Sequence, residues 1–364
     1  MITCDVVSSK EDIIDYSEFI NKFSFASFNA SLKFLYFLTQ LLDKSCIPYY
    51  FIARNGERQV VGVLPAFMKK GIYGAVLNSL PWFGSNPGVI ADSPEVSKQL
   101  VDAFFKTAKW TNCVSATIIS NPFHENQWDY KDLFCEKEEG RYLEDYRIGT
   151  MTTLPDCKSI EDKDLLEHQL IGMYHQKTRN QLRKSIELCR AEVSYRPEAF
   201  EFLMKTHKEN MEAVGAPYKT KEFDIIKTLK ENEDYKLFIS YDKKTDDPAA
   251  ALLLKYYNKT VDYMIPATSL EYRSIDPLHI LIHLAMMDAA QRGYKYWNWG
   301  GSLVVGMDGV KHFKSRFGGK TFPYTYHTLL FRPLEPWVTK EAILEQYKYF
   351  YVLPFKEMEE HANT

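Results

Sequence analysis

The chain carries the same order of predicted elements twice. In each half, three extended apolar segments joined by tight turns are followed by a helix and then by a short apolar strand. The first copy covers residues 49–54, 59–68, 75–80, 94–108 and 115–119. The second copy covers residues 235–241, 248–257, 260–265, 277–289 and 295–298. Equivalent positions lie 180 to 186 residues apart, so we expect two copies of one α/β unit.

Turn and cap residues mark the boundaries of these elements. Asn55-Gly56 between two apolar runs is a strong signal for a β-hairpin. Ser93 and Asp276 are predicted helix N-caps, and each is followed by proline at the first helical position. The pattern predicts an antiparallel meander, a capped helix and an adjoining strand in each copy.

The remaining segments define the domain boundaries. We predict a long helix over residues 159–190 with a basic C-terminal half, two further helices over 200–214 and 221–232, a strand near 325–331 and a helix near 339–349. These elements give an N-terminal domain of residues 1–155 and a C-terminal domain of residues 156–364, which begins with the basic helix at about 162–190. Because no Gly/Ser-rich linker separates the halves, we expect the two domains to pack around an interdomain cleft.

Composition excludes several classes of protein. The 364 residues include 45 basic and 48 acidic side chains, a net charge of −3, whereas a dedicated nucleic-acid-binding protein is usually strongly basic. The apolar stretches are much shorter than the ~20 residues of a membrane-spanning helix, and the N-terminus lacks signal-peptide character. The six cysteines form no CxxC pair, so we expect reduced thiols in a cytoplasmic protein.

The most distinctive motif lies near the C-terminus. Residues 297–302 are Trp-Asn-Trp-Gly-Gly-Ser, and residues 309–319 are Gly-Val-Lys-His-Phe-Lys-Ser-Arg-Phe-Gly-Gly. Glycine after a strand is needed where the backbone turns sharply or a ligand approaches closely. Phe313 and Phe317 are spaced to share one helix face, and Lys314 lies on another face, free to point into a cleft. The alternative is a helix whose basic side is merely solvated.

This motif resembles the C-terminal signature of the FemAB-like (nonribosomal peptidyltransferase) family, and in appearance its polysaccharide-associated N-acyltransferase branch. Two further segments are similar to the family: residues 177–184, Lys-Thr-Arg-Asn-Gln-Leu-Arg-Lys, and residues 80–88, Leu-Pro-Trp-Phe-Gly-Ser-Asn-Pro-Gly. Family members pair two GNAT acyltransferase domains, and the element order of each repeat is that of a GNAT core. The resemblance implies an α/β fold of two tandem GNAT-like domains, with mixed, largely antiparallel sheets flanked by helices.

Two segments are candidates for binding the acceptor. Arg179 and Arg183 are i,i+4 neighbours, and two adjacent guanidinium groups favour an anion that bridges them. The resemblance implies that this anion is the diphosphate of a nucleotide sugar, whereas a solvated charge run is the alternative. In the loop over residues 80–88, Trp82 would stack on a base or sugar, with Ser85 and Asn86 as hydrogen-bonding groups. The aromatic side chains could equally complete the first core.

Acyl transfer to an amine needs a proton acceptor, a group that stabilises the oxyanion, and two aligned substrates. Candidate acceptors of the proton are Asp262, Tyr263 (also a candidate acceptor-binding residue) and His279, whose pKa a helix N-terminus would lower. The resemblance suggests that Lys314 stabilises the developing negative charge. A structural role is the alternative for each of these residues. His279 and His283 also have the spacing of a metal pair, but without a third ligand we expect no metal.

The donor site follows from the GNAT resemblance. A GNAT domain normally holds the pyrophosphate of coenzyme A on amides at the N-terminus of its capped helix. Residues 267–276 contain no glycine, so the usual phosphate loop is missing. Either Arg273 and the amides near Ser274 bind the pyrophosphate, or the donor lies elsewhere. The candidate donor-binding residues are therefore Arg273 and Ser274, together with Gly300, Gly301 and Ser302. Acyl-CoA is the expected co-substrate, and no tightly bound cofactor is expected.

Taken with the resemblance, these residues predict an N-acyltransferase. It would move an acyl group from acyl-CoA to the amine of a dTDP- or UDP-linked amino sugar for surface polysaccharide biosynthesis. The first domain and the basic helix would bind the acceptor, and the second domain the donor. One alternative is an aminoacyl-tRNA-dependent peptidyltransferase of peptidoglycan bridge formation, and another is a non-catalytic scaffold that binds a nucleotide sugar. The slightly negative charge, and the lack of a long heptad-patterned arm between residues 176 and 214, favour the first.

Overall fold

A computed structural model describes residues 2–81, 86–121, 130–135, 140–156, 163–215, 220–303, 308–335 and 337–361. The chain forms two compact units, Met1–Ile148 with Pro323–Thr364, and Gly149–Phe322. Both units mix helices with largely antiparallel strands, as the sequence predicts. Among the described residues, no helix has the length and apolar character needed to cross a bilayer.

The first unit contains the first copy of the repeat. Its strands are β1 (Thr3–Val6), β2 (Cys46–Arg54), β3 (Val60–Gly71), β4 (Gly74–Ser79), β5 (Ile90–Ala91) and β6 (Cys113–Ile119). Its helices include α1 (Lys10–Ile20), α2 (Leu32–Leu41), α3 (Pro94–Trp110) and α4 (Tyr130–Cys135). Strands β1 to β4 pair antiparallel in sequence order, and β4 pairs parallel with β6. Strand β7 (Arg141–Thr153) runs across the boundary between the units.

Helix α3 forms as its sequence predicts. The Ser93 hydroxyl accepts a hydrogen bond from the Val96 amide at 3.3 Å, and Pro94 occupies the first helical position. The helix then buries an apolar stripe that includes Leu100 and Phe104 against the sheet. This stripe forms the main core of the first unit.

The C-terminal segment returns to the first unit. Strand β13 (Lys320–Leu330) pairs antiparallel with β6, and α10 (Lys340–Gln346) and α11 (Phe355–His361) follow it. The buried Asn78 carboxamide donates to the Tyr351 carbonyl at 2.9 Å and accepts from the Tyr351 amide at 2.6 Å. Because of this pairing, residues 323–364 group with the first unit, whereas we predicted them as part of the second domain.

The second unit contains the second copy. Its elements are α5 (Lys163–Met173), α6 (Gln176–Leu188), β8 (Cys189–Val193), α7 (Pro197–Ala213), a 3-10 helix (Thr220–Thr228), β9 (Tyr235–Asp242), β10 (Pro248–Tyr257), β11 (Thr260–Thr268), a 3-10 helix (Arg273–Ile275), α8 (Pro277–Gln291), β12 (Tyr296–Leu303) and α9 (Asp308–Ser315). Strands β8 to β11 pair antiparallel, and β11 pairs parallel with β12. The repeated order is therefore confirmed, and it extends upstream to β1 and β8, which the sequence patterns did not reveal.

The predicted long basic helix is two helices. Helix α5 ends at Met173, and α6 begins at Gln176. Between them, His175 acts as an N-cap whose Nδ1 accepts from the Lys177 amide at 3.2 Å, and its own amide donates to the Arg316 carbonyl at 2.8 Å. The helix expected at 221–232 is instead the 3-10 helix over Thr220–Thr228.

The sheet of the second unit is covered on both faces. Along β10, Leu252 and Leu254 pack into a cluster with α5, α6 and α8, whereas Ala251 and Leu253 pack into a cluster with α7. This alternation follows from the two-residue period of a strand. All four side chains are buried, which explains why β10 appears as a continuous apolar run in the sequence.

Candidate functional site

In the second unit, the described register of the parallel strands β11 and β12 covers only the first residues of each strand. The β11–β12 register runs from Thr260↔Tyr296 to Asp262↔Asn298, and both strands then continue to Thr268 and Leu303. Directly after Asp262, β11 contains a bulge, because Leu254 pairs with Tyr263 but Leu253 pairs with Ile265. A bulge bends a strand and increases its twist. The bulge therefore lies where β11 leaves the described register with β12.

A cleft of about 330 Å³ lies beside the last residues of β11. It is lined by residues from β11, α7, α9 and the start of α8: Asn210, Met211, Pro266, Ala267, Thr268, Arg273, Asp276, Pro277, Leu278, His279 and Phe313. Among these lining residues Arg273 is the permanent cation, and its side chain is exposed. The Ser274 side chain is also exposed, while its carbonyl accepts from the Lys184 ammonium.

The N-terminus of α8 already satisfies much of its own hydrogen bonding. The His279 amide donates to the Asp276 carbonyl at 3.0 Å, and the Ile280 amide donates to the Ser185 hydroxyl at 3.2 Å. The Asp276 carboxylate lies at the same helix end and accepts from the Gln181 carboxamide at 2.8 Å. An anion placed there would meet a carboxylate and amides that already have acceptors. This arrangement differs from the phosphate-binding helix end that the GNAT resemblance implies.

Two side chains of α7 occupy the free edge of β11. The Ser269 amide donates to the Ala249 carbonyl, so the main-chain groups of Pro266 and Thr268 point away from β10. The Asn210 carboxamide bonds both main-chain groups of Thr268, donating to the carbonyl at 2.9 Å and accepting from the amide at 3.0 Å. His207 Nδ1 lies 3.3 Å from the Pro266 carbonyl oxygen. The sequence analysis did not identify either residue, and their i,i+3 spacing on one helix is the signal that marks them.

Lys314 is a buried lysine of the second unit. Only 6% of it is exposed, and its Nζ lies 3.1 Å from Ser302 Oγ and 3.5 Å from the Gly301 carbonyl oxygen. Burial lowers the pKa of its ammonium to about 8. The structure thus brings Lys314 together with two of the predicted donor-binding residues at the end of β12. It does not support the alternative of a solvated basic face.

A hydrogen-bonded chain fixes the strand end beside Lys314. The Asp262 carboxylate accepts from the Asn298 carboxamide at 2.8 Å, and Asn298 Oδ1 accepts from the Gly300 amide at 2.8 Å. Gly300 has a φ of +76°, and a side chain there would meet open space. Lys255 lies 3.6 Å from the second carboxylate oxygen of Asp262. With these partners Asp262 orients the turn, and Asn298 is a functional candidate that the sequence analysis quoted without assigning a role.

His279 faces the cleft from the first turn of α8. Its ring packs 6.0 Å from Phe313 and 5.5 Å from Phe317, and these two phenyl rings lie 5.4 Å apart. Burial lowers the pKa of His279, so the imidazole is neutral at neutral pH. Its Nδ1 lies 3.3 Å from the Asp276 carbonyl oxygen. Because a carbonyl can only accept, the proton belongs on Nδ1 and Nε2 is the basic nitrogen.

The two arginines of α6 have different environments. Arg183 is exposed, and its Nη1 donates to the Asn180 carboxamide at 3.2 Å. Arg179 is half-buried, and its Nε is shielded from solvent with no hydrogen-bond partner among the described residues. A shielded guanidinium nitrogen without a partner is costly unless an acceptor binds to it. Arg179 is therefore the better of the two candidates for an anion contact.

Of the remaining candidates, Tyr263 and Asn86 have contacts that are typical of a structural role. Tyr263 packs against Trp297 and Trp299, and burial raises the pKa of its hydroxyl well above the usual range. Asn86, in the first unit, is buried and accepts from the Asn29 carboxamide at 3.4 Å. Trp82 and Ser85 lie outside the described residues.

His283, which has metal-pair spacing with His279, is bonded within the second unit. Its Nε2 lies 3.3 Å from a Glu167 carboxylate oxygen, and its Nδ1 lies 3.3 Å from the Tyr174 hydroxyl. The part of the chain that the structure describes contains no group of three or more His, Cys, Asp or Glu side chains arranged to hold a metal ion.

Comparisons with known proteins agree with the fold. Residues 176–315 match the family model described as an acetyltransferase (GNAT) domain. Over 89% of this chain and 96% of the other, the fold is similar to the crystal structure of FemX, with a TM-score of 0.68 and 14% identity. The chain has the FemAB-like double GNAT fold. Among proteins with curated descriptions, none matches this sequence.

Two further solved structures are similar to this chain. One is a conserved protein of unknown function from Bacteroides thetaiotaomicron, with a TM-score of 0.54 and 14% identity over 91% of this chain and all of the other. The other is the C-terminal domain of a candidate lysylphosphatidylglycerol synthetase from Agrobacterium fabrum, with a TM-score of 0.50 and 13% identity over 89% and 92%. The GNAT match and the acyltransferase folds of the neighbours indicate an acyltransferase.

Proposed function

We propose that this protein is an amide-forming N-acyltransferase with its reaction centre at Lys314. The observation that carries the proposal is the buried contact of Lys314 Nζ with Ser302 Oγ and the Gly301 carbonyl. An ammonium has three donor hydrogens, so two protein acceptors leave one hydrogen for an incoming oxyanion. A cation preorganised in a site of low polarity stabilises a developing negative charge far more than it would in water.

The reaction joins an amine nitrogen to an acyl carbon and breaks the bond from that carbon to its carrier. The attacking amine loses one proton, and the leaving thiolate or alkoxide gains one. His279 supplies the base, because its Nε2 is unprotonated and its ring lines the cleft. Lys314 neutralises the tetrahedral oxyanion that forms between these steps. The hydrogen-bonded chain through Asp262, Asn298 and Gly300 positions the turn on which Ser302 lies.

The first candidate for the substrates is acyl-CoA with a nucleotide-linked amino sugar. The GNAT match over residues 176–315 supports the thioester donor. Arg179 supports a phosphate-bearing acceptor, because its shielded Nε lacks a partner among the described residues and guanidinium groups fit phosphate oxygens. For this pair of substrates, the pantetheine arm of acyl-CoA would lie along β11, and the diphosphate of the sugar nucleotide would contact Arg179.

The second candidate is transfer of an aminoacyl group from an ester such as aminoacyl-tRNA. The occupied edge of β11 favours this candidate. The amide-bearing pantetheine arm of coenzyme A would need a free strand edge to pair with. At Thr268, however, both the main-chain amide and the carbonyl are already hydrogen-bonded to the Asn210 side chain. The Asp276 carboxylate at the start of α8 also opposes a pyrophosphate there. The name of the Agrobacterium fabrum neighbour, which describes lysylphosphatidylglycerol synthesis, is in keeping with an aminoacyl donor.

One panel separates the candidates. Thiol release is measured from acetyl-CoA and longer acyl-CoAs with UDP- and dTDP-amino sugars, and aminoacyl transfer from charged tRNA is measured in parallel with the same acceptors. Acyl-CoA turnover that depends on the amino sugar supports the first candidate. Turnover of charged tRNA alone supports the second. If neither donor is consumed, the enzyme proposal is overturned and the binding scaffold takes its place.

A further inference from the structure

We propose that one end of the first unit binds an anionic lipid surface. Three large apolar side chains stand out there: Trp110 is 85% exposed, Ile72 is 77% exposed and Trp337 is 74% exposed. Of the tryptophans whose side chains are described, the other two, Trp297 and Trp299, are buried in a core. Tryptophan exposed to this degree costs solvation free energy in water and is favoured at a membrane interface.

The sheet topology places these side chains at the same end. Ile72 lies in the turn before β4, and Trp110 lies just before β6. Because β4 and β6 run parallel, with Ala75 paired to Cys113, both strands begin at the same edge of the sheet. Strand β13 runs antiparallel to β6 and ends there, with Leu330 paired to Ser115, and Trp337 follows it. We call the segments 70–73, 106–112, 331–335 and 337–349 the tryptophan end.

Internal contacts hold these segments together. Arg332 Nη1 donates to the Asn112 carboxamide oxygen at 3.2 Å, which joins the segment after β13 to the end of α3. The Tyr347 hydroxyl donates to the Gly74 carbonyl at 2.7 Å, which joins the segment after α10 to the turn at Ile72. The exposed side chains are therefore presented by a folded surface.

The charge of the tryptophan end identifies its partner. It carries six cationic side chains (Lys70, Lys106, Lys109, Arg332, Lys340 and Lys348) against three acidic ones (Glu335, Glu341 and Glu345), although the whole chain has a net charge of −3. Cations beside exposed tryptophans suit anionic headgroups, since the lysine stems can lie along the apolar layer. A second copy of this positively charged end would be repelled. The chemistry therefore favours anionic lipid over self-association.

Vesicle co-sedimentation tests the proposal with the full chain. We expect binding to phosphatidylglycerol–phosphatidylcholine vesicles that weakens as salt is raised, and little binding to phosphatidylcholine alone. The double variant Trp110→Ser and Trp337→Ser should bind the anionic vesicles at least about tenfold more weakly, because two interfacial side chains are lost. Val214→Ser is the matched control, since Val214 is 70% exposed but belongs to the second unit.

The readout is binding, so it does not depend on the proposed acyltransferase activity. Unchanged melting temperatures would show that the surface variants are folded. Equal sedimentation of wild type and the double variant would overturn the proposal. A tryptophan-dependent dimer in analytical ultracentrifugation, without vesicle binding, would also overturn it and assign the surface to a second copy.

Discussion

Lys314 Nζ lies 3.1 Å from Ser302 Oγ in the interior of the second unit. The two residues come from different elements, α9 and β12, and the polar contact draws the ammonium to the end of the strand. Burial lowers the pKa of Lys314 to about 8. At neutral pH its ammonium is therefore charged in a buried position, which costs folding free energy. Such an arrangement is typical of a functional site.

Replacing this lysine should stabilise the fold. The pKa of Lys314 is about 10.5 in the unfolded chain and about 8 in the folded protein. Between pH 8 and pH 10.5 the unfolded state therefore binds more protons than the folded state. The free energy of unfolding consequently rises as the pH rises through this range. Below pH 8 the full penalty, on the order of 3 kcal/mol, opposes folding. Lys314→Met should therefore raise the free energy of unfolding at pH 7 and show a smaller gain at pH 10.5, in urea titrations. The exposed Lys320→Met is the control and should change little. A destabilised Lys314→Met protein at pH 7 would contradict this prediction.

The pH profile of turnover should have two limbs. Lys314 must be charged to stabilise an oxyanion, so the rate should fall above pH 8 as its ammonium loses a proton. His279 must be neutral to act as a base, and because burial lowers its pKa, the acid limb should lie below the ordinary histidine value of 6.5. Measurement of kcat between pH 5 and pH 10 checks both limbs. Lys314→Arg should move the alkaline limb upward, and an unmoved limb would assign it to another group.

Asn210 should limit binding of coenzyme A. Asn210→Ala frees the amide and carbonyl of Thr268, so we expect affinity for acetyl-CoA to rise about tenfold as two main-chain hydrogen bonds become available. Isothermal titration calorimetry measures this effect, with Glu209→Ala, an exposed neighbour on α7, as the control. Identical affinities for the Asn210→Ala and Glu209→Ala variants would show that the β11 edge does not exclude the carrier arm.

Asn78 should anchor the C-terminal segment. Asn78→Ala leaves the buried amide and carbonyl of Tyr351 without their partner, a loss of about 2–4 kcal/mol in the free energy of unfolding. We expect trypsin to cleave within residues 323–364 faster than in the wild type. The exposed Asn180→Ala should be close to neutral in both assays. Wild-type protection of the segment in the Asn78→Ala protein would argue against this anchor.

The fold was largely predictable because its signals are local. Apolar runs, turn residues and the Ser93-Pro94 and Asp276-Pro277 pairs mark each element without reference to the other half. Ser93 is the side-chain cap that it was predicted to be, whereas Asp276 stands at the N-cap position without a side-chain capping hydrogen bond. The prediction of one helix over residues 159–190 was wrong, because the chain breaks into two helices at His175. The main-chain amide of His175 donates to the Arg316 carbonyl, which is distant in sequence. The tail was placed with the wrong half for a similar reason, since Tyr351 is 273 residues from Asn78 in sequence.

The candidate site was predictable only in part. Lys314, Gly301 and Ser302 belong to the motif over residues 297–319, which supplied them as separate candidates, and the structure brings the three together. His207 and Asn210 were missed, because they act on main-chain groups of β11 that no side-chain pattern reveals. Sequence also gave no means to tell Arg179 from Arg183, since their difference is one of burial.

The central claim is that the Lys314 cation stabilises the transition state of acyl transfer. Its most direct test is kcat for Lys314→Ala, measured with the donor and acceptor that the wild type turns over fastest and with both substrates saturating. We predict a fall of about 10²–10³-fold with little change in either KM, as expected when one oxyanion-stabilising group is lost. A kcat within about twofold of wild type would contradict the account.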